Sequence, residues 1–219
     1  MGGGTLTLEG AGSSTVIDFN TGTVPSYACA IYGEYIITPI TIKSLKVAVS
    51  NTGNRVNFSS LLTFLNANIN LDAITFGTNA LGNVAYGAQV LALAGSIVTF
   101  RGSTFTIDGG WSAGLGAGSQ AACIWAEGAS QVFFDLSPRV FFTSSSTIDY
   151  NYFFTARTLS GIRYWGQSGT GASWSGATAT GSRYQLTGNS VLDSLNFTSE
   201  QTSLPGDSAG SISSGSQFI

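Results

Sequence analysis

The stretch AGSIVTFRGSTFTIDGG, Ala94 to Gly110, decides how the chain reads. Two short runs of β-branched and aromatic residues, Ile97 to Phe100 and Phe105 to Ile107, stand in it between Gly, Ser and Asp, the pattern of strands bounded by turns. The same texture recurs on both sides, at Thr15 to Phe19, Ile36 to Ile42, Leu45 to Val49, Ile69 to Phe76, Gln131 to Leu136 and Val140 to Thr143. Helical periodicity is nearly absent. The fold class is therefore all-β.

Turn formers follow several runs in a similar way. Val49 leads into Ser50-Asn51-Thr52-Gly53, Phe76 into Gly77-Thr78-Asn79, and Ile107 into Asp108-Gly109-Gly110. The units recur at about 25 to 35 residues, a period that marks solenoids and repeat arrays. A right-handed parallel β-helix fits, with Val47, Ile74, Val98 and Phe133 as inward positions of stacked rungs. A β-sandwich or jelly roll is the competing architecture, but the irregular spacing and the lack of two-residue hairpin signals favour the solenoid. Composition changes after Tyr164, where Trp165 to Gly176 is almost wholly Gly, Ser, Ala, Gln, Thr and Trp. The expected organisation is a β-helical shaft over residues 1–164 and a small C-terminal β cap or tip over residues 165–219.

Charge and cysteine usage remove several function classes. Hydrophobic residues make up 43% of the 219 residues and charged residues only 9%, so hydroxyls, amides and glycine must carry the surface. A net charge of −3 offers no broad basic face, and nucleic acid is not expected as a partner. There is no histidine, and Cys29 and Cys123 form no metal-binding spacing, so neither a metal nor a cofactor is expected. The two cysteines read as buried thiols, with a disulfide as the alternative. No apolar stretch is long enough for a membrane helix, and membrane insertion is not expected. The glycine-rich start, Met1 to Gly4, lacks the parts of a signal peptide and reads as a boundary before which more polypeptide is expected.

The C-terminal stretch WSGATATGSRYQLTGNSVLDS (Trp174 to Ser194), followed by LPGDSAGSISSGSQF (Leu204 to Phe218), resembles the ending of tail-fibre and tailspike-like proteins of phages and prophages. Gly181, Arg183 and Tyr184, then Asn189, then Pro205, Gly206 and Gly210, occupy the places of that family's motif. Ala94 to Gly110 and Cys123 to Phe134 are similar to its shaft rungs. The resemblance implies a virion protein at the distal end of a phage tail that attaches to the bacterial surface without catalysis. It further implies a homotrimer whose partner is a surface polysaccharide or an outer-membrane receptor. A bacterial adhesin or passive spacer is a further alternative.

Some β-helical tailspikes cleave polysaccharides, which needs paired carboxylates about 5 to 10 Å apart. The candidates near strand ends are Asp72, Asp108, Glu127, Asp135 and Asp149, and a depolymerase would use Asp108 with Asp135. Against this, Asp108 before Gly109 also fits an Asx turn that needs no ligand. For sugar stacking, Trp165, Trp174 and Trp111 are the candidates, the first two because they flank a polar loop; Trp125 lies in an apolar run and reads as core. Tyr184 is expected inward, with Arg183 outward or pinned to Asp193 or Asp207. Without histidine no Ser-His-Asp or Cys-His pair exists.

Overall fold

The computed structural model describes residues 5–19, 27–49, 57–79, 86–101, 104–107, 120–134, 141–144, 148–164, 173–176, 179–193, 204 and 206–219. Among these there is no helix. The strands come in triplets: β1 (Thr7–Glu9), β2 (Val16–Phe19) and β3 (Tyr27–Glu34); β4 (Ile40–Lys43), β5 (Lys46–Val49) and β6 (Asn57–Phe64); β7 (Asn68–Asp72), β8 (Thr75–Asn79) and β9 (Tyr86–Leu93). β10 (Ile97–Arg101), β11 (Thr104–Ile107) and β12 (Gln120–Glu127) follow, then β13 (Gln131–Phe134), β14 (Phe141–Ser144) and β15 (Ile148–Arg157), and β16 (Gly161–Arg163), β17 (Ser173–Gly176) and β18 (Ala179–Thr187). The short strands β19 (Val191–Asp193), β20 (Ser211–Ile212) and β21 (Gln217–Phe218) end the chain.

The first strands of all triplets form one sheet, in the order β1-β4-β7-β10-β13-β16-β19-β21. The second strands form another, β17-β14-β11-β8-β5-β2, and the third strands a third, β20-β18-β15-β12-β9-β6-β3. Every pairing is parallel. The chain is a parallel β-helix of three faces, with the right-handed coil that parallel crossovers adopt. We call the faces sheets 1, 2 and 3 in that order.

Register turns the sequence runs into columns. Ile40, Ile69, Val98, Val132, Ile162, Leu192 and Phe218 are aligned along sheet 1, and beside them Ile42, Leu71, Phe100 and Phe134. These side chains meet Val47, Phe76, Phe105 and Ile107 of sheet 2 and Leu61, Val90, Ile124 and Phe154 of sheet 3 in one continuous core. Phe134 stacks on Phe100 at 4.7 Å and takes the Tyr164 ring edge-on at 5.0 Å. Each such burial is worth about 1.5 to 3 kcal/mol, so the lumen is the main source of stability.

The corner between sheets 3 and 1 is built the same way in turn after turn. Two successive residues take positive φ, as in Leu65-Asn66, Ala94-Gly95, Gly128-Ala129, Thr158-Leu159, Gly188-Asn189 and Ser214-Gly215. In most turns a buried serine follows. The N–H of Ala67 donates to Ser96 Oγ at 3.3 Å, Ser96 to Ser130 at 3.2 Å, Ser130 to Ser160 at 3.2 Å, Ser160 to Ser190 at 3.2 Å and Ser190 to Ser216 at 3.0 Å. The steps are 29, 34, 30, 30 and 26 residues, which is the repeat of the coil. The hydroxyls of Ser96, Ser130 and Ser190 donate in turn to the carbonyls of Leu93, Glu127 and Thr187. A buried corner thus satisfies its polar groups within the ladder.

The structure corrects the sequence reading in several places. Ile69 to Phe76 is two strands on different faces, because Ala73 takes φ 51° and turns the corner between them. Ile36 to Ile42 begins as a strand only at Ile40. Phe133 is not an inward residue: Val132 and Phe134 fill the core, and Arg163 lies over the Phe133 ring on the outside. A strand shifted by one residue reverses its faces. Val47, Ile74 and Val98 are buried as expected. Beyond Tyr164 the ladders continue: β17 pairs with β14, β18 with β15 and β19 with β16.

Candidate functional site

Asp108, Asp135, Trp111, Trp165 and Pro205 lie outside the described residues. Trp174 is on β17, in backbone register with Phe142 and through it with Phe105, which is buried in the core. Cys29 and Cys123 are free thiols. Burial pushes both above the ordinary thiol range, Cys123 the further, against a smaller lowering from the hydroxyl of Tyr150. A fully buried thiol kept protonated in this way, as Cys123 is, makes a poor nucleophile. Among the described residues no cluster of His, Cys, Asp and Glu could hold a metal ion.

The remaining motif residues close the C-terminal end of the coil. Gly181 takes φ 99°, and a Cβ there would collide with the carbonyl oxygen of Tyr150. Its N–H donates to Asp207 Oδ1 at 3.0 Å, and its carbonyl accepts from the N–H of Asp207 at 3.1 Å. Gly206 at φ 133° brings the following segment against Arg183, whose N–H donates to Ser208 O at 3.2 Å. Arg183 does not simply face outward: it is half-buried, and its Nε is enclosed without a hydrogen-bond partner. Tyr184 is inward as expected, stacked on Phe218 at 5.2 Å, and Gly210 leaves room for its ring. Asn189 supplies a positive-φ residue of the corner and donates its N–H to Ser214 O at 2.9 Å. The motif therefore folds the end of the chain against the last full turn.

A cleft of about 310 Å³ opens on the outer face of sheet 1 over β13, β16 and β19. It exists because Gly161 stands in register between Gln131 and Val191, leaving a one-residue gap in an outward column. A Cβ at position 161 would meet Gln131 Oε1 at 2.5 Å. Arg163 and Asp193 are aligned on one side, the guanidinium 5.4 Å from the Phe133 ring centre. On the other side stand the corner residues Leu159 and Asn189, held outward by positive φ, with Ile219 nearby. Leu159 is 62% exposed and Ile219 59%. The arrangement offers amides, a guanidinium, a carboxylate and three aliphatic side chains to one ligand, the mixture that fixes orientation in a small-molecule site. Among the described residues, Asp193 is the only side-chain carboxylate that lines it.

Of these cleft residues, Asp193 was read from the sequence only as a partner for Arg183 and Asn189 only as part of the C-terminal motif; the others were read as strand or loop at most. The available signal is the spacing of Gln131, Gly161 and Val191, each following a corner serine directly. No protein-family model, no curated protein and no solved structure matches the chain.

Proposed function

We propose that the chain is the C-terminal part of a bacteriophage tail fibre or tailspike-like protein, a β-helical shaft that attaches the virion to a bacterial surface glycan and does not cleave it. The cleft around Gly161 carries this reading. Its aliphatic side chains suit the apolar face of a sugar ring, while Gln131, Asn189, Arg163 and Asp193 suit the hydroxyl rim or an acidic substituent. Cleavage by a carboxylate pair requires two acids on either side of one bond, and among the described residues the cleft lining offers one side-chain carboxylate, that of Asp193. The low-charge surface and the C-terminal motif support the family reading, which brings with it a homotrimer at the distal end of the tail.

Titration of the purified chain with lipopolysaccharide and capsular polysaccharide from a panel of bacteria tests this. Saturable binding to one of them is expected, weakened about tenfold or more by Arg163→Ala, a loss of about 1.4 kcal/mol, and abolished by Gly161→Leu. No new reducing ends should form. Binding unaffected by both substitutions would remove the cleft from the account. Release of oligosaccharide that Asp108→Asn abolishes would make the protein a depolymerase.

A further inference from the structure

The lining of the cleft over β13, β16 and β19 narrows its ligand further, on the premise of the preceding reading that it takes a glycan. Its floor is an amide. Gln131 Oε1, Cδ and Nε2 lie 2.5, 3.2 and 3.3 Å from the point where a Cβ of residue 161 would stand, so the carboxamide lies in the gap that Gly161 leaves. A second carboxamide is seated in the same way, since a Cβ at Gly215 would collide with Asn189 Oδ1. Both residues line the cleft, and neither carboxamide is hydrogen-bonded to another described residue. Each offers one acceptor oxygen and two N–H donors.

The charges in the lining balance. Arg163 and Asp193 are in register on neighbouring strands, so an acidic substituent drawn to the guanidinium also faces the carboxylate, and a basic one meets the reverse. A neutral polar substituent escapes both repulsions. Leu159 and Val191 add aliphatic surface beside the two carboxamides.

An acetamido group matches this set. Its N–H needs an acceptor and its C=O a donor, and the carboxamides of Gln131 and Asn189 supply both; its methyl needs apolar surface, which Leu159 and Val191 supply. At about 310 Å³ the cleft stands at the small end of ligand pockets, which run from roughly 300 to 1,000 Å³, so it suits one sugar unit with its substituent. We infer that the cleft is specific for an N-acetylated amino sugar, whose amide Gln131 and Asn189 read.

Saturation-transfer NMR on the purified chain tests this with N-acetylglucosamine, N-acetylgalactosamine and N-acetylmannosamine, each beside its parent hexose and its free amine, and with glucuronic acid. At least one N-acetyl sugar should bind, with the strongest saturation on the acetamido methyl, and its parent, its amine and glucuronic acid should bind about tenfold or more weakly. Gln131→Leu and Gly161→Ala should each weaken it to a similar degree at unchanged melting temperature, because the methyl at position 161 meets only the end of a flexible side chain. Whichever bacterial polysaccharide binds the chain should lose affinity on N-deacetylation and regain it on re-N-acetylation, and this arm decides if single sugars bind too weakly to detect. A bound polysaccharide indifferent to deacetylation, or equal binding of an N-acetyl sugar and its parent, would overturn the inference and leave the glycan reading standing. Absence of binding to every polysaccharide and sugar would overturn both.

Discussion

The C-terminal and N-terminal ends of this coil solve the same problem in opposite ways. At the C-terminal end the chain turns back on the last full turn: Gly181 and Asp207 exchange hydrogen bonds, Phe218 covers Tyr184, and Ser216 completes the serine ladder. At the N-terminal end three strand edges and several large apolar side chains face outward. A solenoid is stabilised turn by turn by its neighbours, so an end lacking a neighbour is weak unless something else covers it. The C-terminal segment therefore takes, for the last full turn, the place that a neighbouring turn takes for each inner one.

Substitutions should separate the two ends by size of effect. Gly181→Val combines a forbidden φ with a collision at the Tyr150 carbonyl, and is expected to cost on the order of 3 kcal/mol or more in denaturant unfolding. A loss below about 0.5 kcal/mol would mean that the end is not locked there. Gly210→Ala drives a methyl into the Tyr184 ring and should cost about 1 to 3 kcal/mol, with the Tyr184–Phe218 stack disturbed in near-ultraviolet circular dichroism. Mid-coil, Ser160→Ala leaves the buried N–H of Ser130 without its partner, for a cost of about 1 to 3 kcal/mol. Smallest is Lys43→Ala at the first turn: its 3.1 Å contact with Glu9 is largely exposed, and the change in melting should correspond to less than about 1 kcal/mol.

Alkaline pH probes the shared lumen rather than either end. Burial raises the ionisation of Cys123, Tyr150 and Tyr164 above the values these groups have in an unfolded chain. Each therefore holds its proton longer when folded, and the stability this provides is complete below the unfolded values, about 8.5 for a thiol and 10 for a phenol. Above them stability falls as pH rises. Melting temperature should decline from about pH 9 to 11, and Cys123→Ala should remove the earliest part of that decline.

Most strands of sheets 1 and 2 were legible because they are short, rich in β-branched and aromatic residues, and bounded by turn formers, as in Ile97 to Phe100 and Phe105 to Ile107; β1, β16 and β17, of three or four residues with few such side chains, were not. Sheet 3, with the longest strands, was largely missed. Between Tyr86 and Glu127, which stand at the start of β9 and the end of β12, the two strands are made of Gly, Ala, Gln, Cys, Val, Ile, Leu and Trp and are buried on both faces, so no alternation marks them. The kink at Ala30, Gln89 and Cys123 breaks the two-residue period besides. The serine ladder escaped because serine beside glycine reads as a surface loop, whereas here its hydroxyl replaces a backbone partner. The cleft could not be read at all, since a gap at Gly161 becomes a site only when neighbouring turns are stacked. Of the C-terminal residues singled out in the sequence, Gly181, Tyr184, Asn189, Gly206 and Gly210 hold the end of the chain against the last full turn.

Amide hydrogen exchange on the purified chain compares the first and last described turns directly. Amides of β18 should exchange only with global unfolding, while those of β3 exchange orders of magnitude faster through local opening of the first turn. Equal protection of β3 and β18, or faster exchange in β18, would contradict a C-terminal turn locked by Gly181, Asp207 and the Tyr184–Phe218 stack.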